Sequence, residues 1–219
     1  MYFNNLEYLL SIIYPKLTWL RKTSEKVIYL TFDDGPIPEV TEYVLSELAL
    51  YKAKATFFCV GDNIYKNPQV FNKIIKQGHK TGNHTYNHLN GWKNENSIYL
   101  ENVKKGDAIM MENLPEDKQH LYYSNLTSKK LYRPPYGKIK KAQIKALDKE
   151  YEIVMWDVLT GDFNKNLSPE KCLHKAIKYT GKGSIVIFHD SLKALPNLQY
   201  ALPRFLKHFT EAGYRFESL

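Results

Sequence analysis

Two histidines and one acid in this sequence have the residue types and spacing of a metal site. His84 and His88 are four residues apart in the run HTYNH, and Asp34 follows an apolar run elsewhere in the chain. Two imidazoles and one carboxylate can bind a divalent metal and leave coordination positions open for water and a substrate. The alternative is a chance spacing of two surface histidines. The partner acid Asp34 favours the metal site.

The adjacent acids Asp33 and Asp34 are expected to have different roles. Two carboxylates that face one cavity repel each other, so one of them would take up a proton. A divalent cation bound to one acid removes this conflict and leaves the other as an ionised base. Gly35 and Pro36, next in the chain, are also typical of a simple turn. A turn does not explain two acids after an apolar strand, so we predict one metal ligand and one base.

His189 is a candidate proton donor because it ends the apolar run IVIF. Histidine titrates close to neutral pH, and small changes of environment move its charge across the physiological range. A single histidine at such a position is more often a hydrogen-bonded core residue. Because polar clusters follow four other strands in the same way, we interpret His189 as functional.

The elements that must position these residues are five predicted strands, each of which ends in a polar cluster. The clusters are Asp33–Asp34, His84–His88, Arg133–Gly137, Asp157–Phe163 and His189–Asp190. In a parallel barrel such strand ends share one rim, where active sites are built. About seven β-rich runs alternate with about six helical patterns, which indicates one α/β domain with either a barrel or a doubly wound sheet. Residues 112–130 are expected to form a long irregular surface loop.

The composition excludes several other classes of protein. The chain has 219 residues, with 31 Lys and Arg against 23 Asp and Glu and a net charge of +8. No nucleic-acid-binding motif accompanies this charge, so we predict no nucleic-acid partner. No apolar run has the ~20 residues of a membrane-spanning helix. Cys59 and Cys172 form no CxxC pair, so we expect two buried thiols and no thiolate zinc site.

The densest basic stretch is spaced as one face of a helix. It consists of Lys138, Lys141, Lys145 and Lys149. Residues three and four apart are neighbours on a helix surface. We interpret the stretch as a solvated outer face, with a patch that binds polyanions as the alternative.

The five motifs, in this order, resemble those of the polysaccharide deacetylases, carbohydrate esterase family four. This group includes chitooligosaccharide, peptidoglycan and acetylxylan deacetylases. The matching runs are TFDDGP, HTYNH, RPPYG, the segment Trp156–Phe163 and IFHD. The resemblance implies a distorted (β/α) barrel with seven or eight mainly parallel strands.

The resemblance also implies a role for each motif residue. Asp34, His84 and His88 would hold a divalent metal, most often zinc, with cobalt, nickel or manganese as other options. The catalytic residues would be Asp33 as general base, His189 as general acid, Arg133 orienting Asp33, Asp162 pairing with His189, and the backbone N–H of Tyr136 stabilising the oxyanion. The substrate-binding residues would be Tyr136, Pro134, Phe163 and Ile187. Phe163 and Ile187 stand where the family usually has Trp and Leu beside the acetyl methyl group.

The function implied is metal-dependent removal of N-acetyl groups from N-acetylhexosamine units of a polysaccharide or oligosaccharide, such as peptidoglycan or chitin. One alternative is an enzyme that removes O-acetyl groups, as from acetylxylan, or that deacylates a small acylated amine. A non-catalytic glycan-binding domain is disfavoured, because base, acid and metal ligands are all present. The predicted partner is an acetylated glycan, and the predicted oligomeric state is a monomer.

The N-terminal residues carry an apolar pattern of their own. The pattern repeats at helical spacing, and Pro15 should interrupt a helix; its members are Phe3, Leu6, Leu10, Ile13, Leu17 and Leu20. We predict an amphipathic extension, residues 1–25, packed on a catalytic domain of residues 26–219. Binding of residues 1–20 to a membrane surface is the alternative. The segment lacks the features of a signal peptide, so the predicted location is cytoplasmic or peripheral to a membrane.

Overall fold

The fold is a curved parallel sheet surrounded by helices, seen in a computed structural model that describes residues 13–219. The strand order is β1-β6-β5-β4-β3-β2-β8-β7, β9 adds to β2, and every strand pair is parallel. A bridge between Leu20 and Ser184 joins the chain after β1 to the start of β8. The predicted distorted (β/α) barrel is confirmed.

The bounds of the elements follow the predicted alternation. The strands are β1 (Leu17–Thr18), β2 (Val27–Asp33), β3 (Thr56–Cys59), β4 (Lys80–Asn83), β5 (Lys130–Tyr132), β6 (Tyr151–Val154), β7 (Val158–Leu159), β8 (Ile185–His189) and β9 (Arg215–Glu217). The helices are α1 (Val40–Leu50), α2 (Gly61–Lys66), α3 (Pro68–Lys76), α4 (Asn96–Asn113), α5 (Lys141–Leu147), α6 (Pro169–Tyr179) and α7 (Leu195–Glu211). Two 3₁₀ segments are Glu116–Tyr122 and Pro135–Gly137.

The strands are apolar because both faces of the sheet are covered, as in other parallel sheets. The outer face packs with α1, α3 and α7 in a cluster that includes Ile28, Leu30 and Phe32 of β2. A smaller cluster lines the other face, and its buried members are Phe58, Leu131, Val154, Ile185 and Leu219. Cys59 and Cys172 are free and buried, as predicted. The sheet is therefore a rigid support for the residues at its ends.

The helical pattern predicted for the N-terminal residues is wrong from Leu17 onward. Leu17–Thr18 is a strand paired with β6, and the side chains of Leu17, Trp19 and Arg21 are buried in alternation with their neighbours. That alternation is the period of a strand and not of a helix. Arg21 forms an ion pair of 2.7 Å with the buried Glu152 of β6, so this segment belongs to the barrel. Three other members of the predicted stripe, Phe3, Leu6 and Leu10, lie outside the described residues, and Ile13 is exposed.

Three smaller predictions also need correction. The loop predicted over residues 112–130 contains the 3₁₀ segment Glu116–Tyr122, and its Tyr122 is buried and donates a hydrogen bond of 2.8 Å to Asp107. The helix predicted over residues 139–150 is only α5, so Lys149 lies beyond its end and Lys138 before its start. Helix α2 was missed, because six residues are too few for a clear periodic pattern. Within residues 13–219, no helix is long and apolar enough to span a bilayer.

Candidate active site

The polar clusters predicted from the sequence meet at the carboxyl ends of the strands. Asp33 and His189 are the last residues of β2 and β8, and these two strands pair so that Asp33 lies opposite His189. His84 directly follows β4, Arg133 directly follows β5, and Asp162 lies just beyond β7. A shared rim of strand ends is where parallel barrels build active sites.

Three residues of the polar clusters at this rim are suited to bind a metal ion. Asp34, His84 and His88 each offer one ligand atom, and the three atoms lie within 4.8 Å of one another. Oδ1 of Asp34 is 3.2 Å from Nε2 of His88 and 3.8 Å from Nε2 of His84. Atoms bound to one zinc ion at about 2.0–2.1 Å lie roughly 3–4 Å apart, so the two distances from Asp34 to the histidines suit such an ion.

Hydrogen bonds orient both imidazoles toward Asp34. Nδ1 of His84 lies 2.7 Å from the carbonyl oxygen of Arg133, and because a carbonyl only accepts, this nitrogen carries the proton. Nε2 is then a lone-pair donor, as a metal ligand must be. Burial lowers the pKa of His84 to about 4, against the opposing effect of Asp33, so the ring is neutral at physiological pH. Nδ1 of His88 is held 3.1 Å from the hydroxyl of Tyr136.

The two histidines lie on a loop and not on a helix. Thr85 and His88 have positive φ angles, 61° and 55°. Asn102 of α4 holds the loop, because its Oδ1 accepts hydrogen bonds from the backbone N–H groups of Tyr86 and Asn87 at 3.0 and 2.9 Å. The two imidazoles are therefore brought together by a loop that α4 holds in place, and not by their spacing along a helix.

Asp33 is oriented by an ion pair with the fully buried Arg133. Nη1 of Arg133 donates to Oδ1 of Asp33 at 2.7 Å and to the hydroxyl of Thr31 at 2.8 Å. The other guanidinium nitrogens donate to the carbonyls of Val154 and Met155. Oδ2 of Asp33 is left facing Nε2 of His84 at 3.8 Å. Arg133 thus fixes one carboxylate oxygen and leaves the other directed at the metal cluster.

Asp34 has a constrained backbone and a stabilised charge. Its φ of 85° is unusual for a residue other than glycine, and such outliers concentrate at functional sites. Nδ2 of Asn63, from α2, donates to the Asp34 carbonyl at 2.6 Å. Burial favours the neutral carboxyl, but the hydrogen bond with His88 and the nearby imidazoles hold the pKa of Asp34 well below its usual value. Asp34 is therefore an anion at the metal cluster.

His189 is held by Asp162 through two hydrogen bonds. Nδ1 of the ring lies 2.8 Å from Oδ1 of Asp162, and the backbone N–H of His189 donates to Oδ2 at 2.7 Å. Burial alone would lower the pKa of His189, but the charge of Asp162 and its hydrogen bond raise it to about 9. Asn197 of α7, which the sequence did not indicate, donates to the Asp162 carbonyl at 2.9 Å. His189 is thus a cation at neutral pH.

The four predicted substrate-binding residues differ in exposure. Tyr136 has a φ of 61° and is 59% exposed beside His88. Phe163 is half-buried and meets the ring of His189 edge-on, with 5.0 Å between centroids. Ile187 and Pro134 are buried, so they contribute packing beneath the site. Asp157, which the sequence grouped with the rim clusters, instead accepts hydrogen bonds from Ser184 and Ile185 at the opposite end of β8.

Asp190 supports the site from below, a role that the sequence did not indicate. Its carboxyl group is buried, accepts a hydrogen bond from the backbone N–H of Gly35 at 3.0 Å and lies 2.6 Å from the hydroxyl of Thr41. Its own backbone N–H donates to the Asp33 carbonyl at 3.1 Å. Burial raises the pKa of Asp190 to about 8. Asp190 therefore joins the turn after β2 to the end of β8.

We expect Asp190→Ala to destabilise the protein and to weaken metal binding together. The substitution leaves the N–H of Gly35 without a partner and takes away the acceptor of the Thr41 hydroxyl, which still accepts from the N–H of Ile37. Each loss should cost about 1–3 kcal/mol. Asp190→Asn keeps an oxygen acceptor and resembles the neutral acid, so it should restore most of both properties. Denaturant unfolding and titration with zinc measure the two effects. Full metal affinity in Asp190→Ala would contradict the supporting role.

Comparison with known proteins agrees with this fold and identifies the family. The family model described as polysaccharide deacetylase matches residues 20–154. A peptidoglycan-N-acetylglucosamine deacetylase of Bacillus cereus is 34% identical over 202 residues, which cover 91% of this chain and 89% of that protein. The peptidoglycan-N-acetylmuramic acid deacetylase PdaC of Bacillus subtilis is 29% identical over 198 residues, 88% of this chain and 38% of PdaC.

A solved structure of a relative has the same fold. The Bc1960 peptidoglycan N-acetylglucosamine deacetylase, in complex with 4-naphthalen-1-yl-N-oxidanyl-benzamide, superposes with a TM-score of 0.83 at 29% identity. The match covers 95% of this chain and 94% of that one. With this fold, the family model and the relatives place the chain among the hydrolases that act on carbon–nitrogen bonds other than peptide bonds. This chain belongs to the polysaccharide deacetylase family, carbohydrate esterase family four.

Proposed function

We propose that this protein removes N-acetyl groups from the N-acetylhexosamine units of peptidoglycan with the help of a divalent metal, zinc in the first place. The observation that carries the proposal is the meeting of Asp33, the metal cluster and His189 at one rim, with Asp33 opposite His189 across paired strands. The curated relatives named for peptidoglycan deacetylation support the choice of glycan.

The chemistry divides between the metal cluster and the two side chains beside it. Asp34, His84 and His88 would hold the metal, which when bound lowers the pKa of water and polarises the acetyl carbonyl. Asp33 takes a proton from the attacking water through Oδ2, the oxygen that Arg133 leaves open. The water oxygen bonds to the acetyl carbon, and the negative charge moves to the carbonyl oxygen.

The second half of the reaction needs an acid. A free amide anion is a very poor leaving group, so the nitrogen must receive a proton as the carbon–nitrogen bond breaks. His189 carries that proton at neutral pH because Asp162 stabilises the imidazolium. The products are acetate and a free amino sugar. A backbone N–H of Tyr136 directed at the oxyanion would contribute about 3–4 kcal/mol to the transition state.

A shallow groove beside Asp34 offers polar groups to a sugar. Its volume is about 330 Å³, and its lining residues are Asp34, Ile37, Val60, Asp62, Asn63, Asn87 and His88. Amide and carboxylate groups of this kind can bond to sugar hydroxyls on both sides of an acetamido group. The groove therefore suits one unit of a glycan whose acetyl group reaches the metal cluster.

Removal of the metal should stop acetate release. We expect protein treated with a chelator and then desalted to lose its activity on acetylated peptidoglycan strands, and added zinc to restore it, because Asp33 and His189 alone do not activate water strongly. The measurement is acetate released over time. A His84→Ala variant should not be restored by the same zinc concentration. Undiminished turnover in the chelator would contradict the metal-dependent reaction.

A further inference from the structure

We propose that Trp92 and Lys138 form a second binding subsite that selects glycan chains carrying carboxylate groups over neutral chains. We call this pair, with the neighbouring Lys93, Lys140 and Lys141, the Trp92 platform. The inference rests on the proposed function, because it concerns the glycan whose acetyl group reaches the metal cluster. It adds a preference that the metal cluster itself does not provide.

The platform lies next to the metal cluster along two adjacent loops. At one point the loops meet through His88 and Tyr136, whose rings have centroids 4.5 Å apart. They meet again where the backbone N–H of Gly91 donates to the Lys138 carbonyl at 3.1 Å. Trp92 is four positions after His88 in the chain, a span of at most about 14 Å. Neighbouring units of a glycan bound at the metal cluster therefore lie within reach of Trp92.

Hydrogen bonds hold the indole ring of Trp92 at the surface. The ring is 59% exposed, and its Nε1 donates to the Ile139 carbonyl at 3.1 Å. The fully buried Gln143 donates to the Gly91 carbonyl and accepts from the backbone N–H of Lys140. A Cβ on Gly91 would lie 2.4 Å from the Lys138 carbonyl oxygen, so the two loops are tightly packed. The ring is thus fixed by its surroundings before any ligand binds.

An exposed, fixed indole is suited to stack on a sugar ring. The face of an aromatic ring is negative, and it attracts the weakly positive C–H groups on one face of a pyranose. A side chain that is already ordered loses little entropy on binding. Trp92 therefore offers a stacking surface to any glycan, whether charged or neutral.

The lysines around Trp92 add a preference for anions. Nζ of Lys138 lies 5.1 Å from the centroid of the indole ring. Within the described part of the chain, no carboxylate forms an ion pair with any lysine of the platform. By contrast, Lys66 beside the groove at Asp34 is paired with Asp62. A stacked sugar that carries a carboxylate would bind next to the ammonium group of Lys138, which has no carboxylate partner among the described residues.

The carboxylate has two sources in peptidoglycan, the lactyl ether on the sugar and the attached peptide. The test therefore uses three substrates: neutral N-acetylglucosamine oligomers, glycan strands stripped of peptide, and strands with peptide. Acetate release gives kcat and KM, and calorimetry with the metal-loaded Asp33→Asn protein gives affinity without turnover. Variants Trp92→Ala and Lys138→Gln are compared with Tyr179→Ala and Lys76→Gln, which replace an aromatic and a lysine on α6 and α3.

We expect Trp92→Ala to raise KM and the dissociation constant about 2–12-fold for all three substrates, with kcat unchanged. Lys138→Gln should raise both by up to about 5-fold for carboxylated strands only, and less at high salt. If Lys138→Gln binds strands stripped of peptide more weakly, the lactyl group supplies the carboxylate that the platform recognises. If it binds only strands with peptide more weakly, the peptide supplies it. The control variants should resemble the unmodified protein.

An affinity of Lys138→Gln for carboxylated strands that is unchanged from that of the parent protein would overturn the inference. So would a loss of kcat in Trp92→Ala with KM unchanged, since that points to a disturbed His88 loop. Absence of acetate release by the unmodified protein would refute the proposed function instead, and the calorimetric comparison would still decide whether the platform binds glycan.

Discussion

Replacing Asp33 by asparagine should reduce kcat for deacetylation by about 10²–10⁴-fold, the usual contribution of a general base. Asparagine keeps an oxygen near Nη1 of Arg133 but has no carboxylate to take a proton from water. Asp34, His84 and His88 are unchanged, so metal affinity should stay close to that of the parent protein. Acetate release and zinc titration of the purified variant measure the two properties.

Asp33→Asn also breaks a buried ion pair, so a second variant is needed to separate the loss of the base from a loss of stability. Loss of the Asp33 charge leaves Arg133 with an uncompensated charge inside the barrel, which destabilises folded proteins by about 3–5 kcal/mol in comparable cases. Thr31→Val removes another hydrogen bond of Nη1 but keeps the base. It should therefore unfold at lower denaturant concentration and retain most of its turnover. Asp33→Asn that is folded, metal-bound and fully active would reject Asp33 as the base.

The ends of β2 and β8 were predictable because their candidate site residues follow runs with strong strand signals. VIYLTF before Asp33 and IVIF before His189 are continuous apolar runs, and parallel strands share one rim. The pairing of Asp33 with His189 was not predictable from these runs alone, since the two residues are 156 positions apart and their register is set by tertiary packing. The family resemblance supplied that proximity.

The supports of the site were missed because their signals are nonlocal or short. Asn63 lies on a six-residue helix, and Asn102 reaches the histidine loop from the middle of α4. Thr41 looks like an ordinary helix residue until its contact with Asp190 is seen. Leu17 fitted a helical stripe by spacing, yet it pairs with β6 as a strand. A single polar residue whose partner is distant in the chain produces no periodic pattern in the sequence.

Replacing His189 by alanine should separate amide from ester hydrolysis. An amine needs a proton to leave, whereas an alcohol leaves more easily, so we expect kcat for an N-acetylated glycan to fall about 10²–10⁴-fold and kcat for an O-acetyl ester to fall much less. His174→Ala, which alters an exposed histidine of α6, should leave both rates unchanged. Equal losses on the two substrates would argue against His189 as the acid.

The pH dependence of kcat is a second, independent test of His189 as the acid. Because the pKa of His189 is raised to about 9, the acid is present at neutral pH and is lost as the pH rises through that value. Asp33 and Asp34 contribute to this rise, so a cation bound at Asp34 would bring the alkaline limb of kcat somewhat below pH 9.

Asp162→Asn removes the main negative charge that keeps the buried imidazole of His189 protonated. The pKa of His189 should therefore fall, and the alkaline limb should move by about 1–3 pH units to lower pH. At pH 6 the variant should recover much of the turnover that it lacks at pH 8, whereas His189→Ala should not recover at either pH. An alkaline limb that stays in place in Asp162→Asn would mean that another group limits the reaction, since no other described carboxylate hydrogen-bonds to the His189 ring.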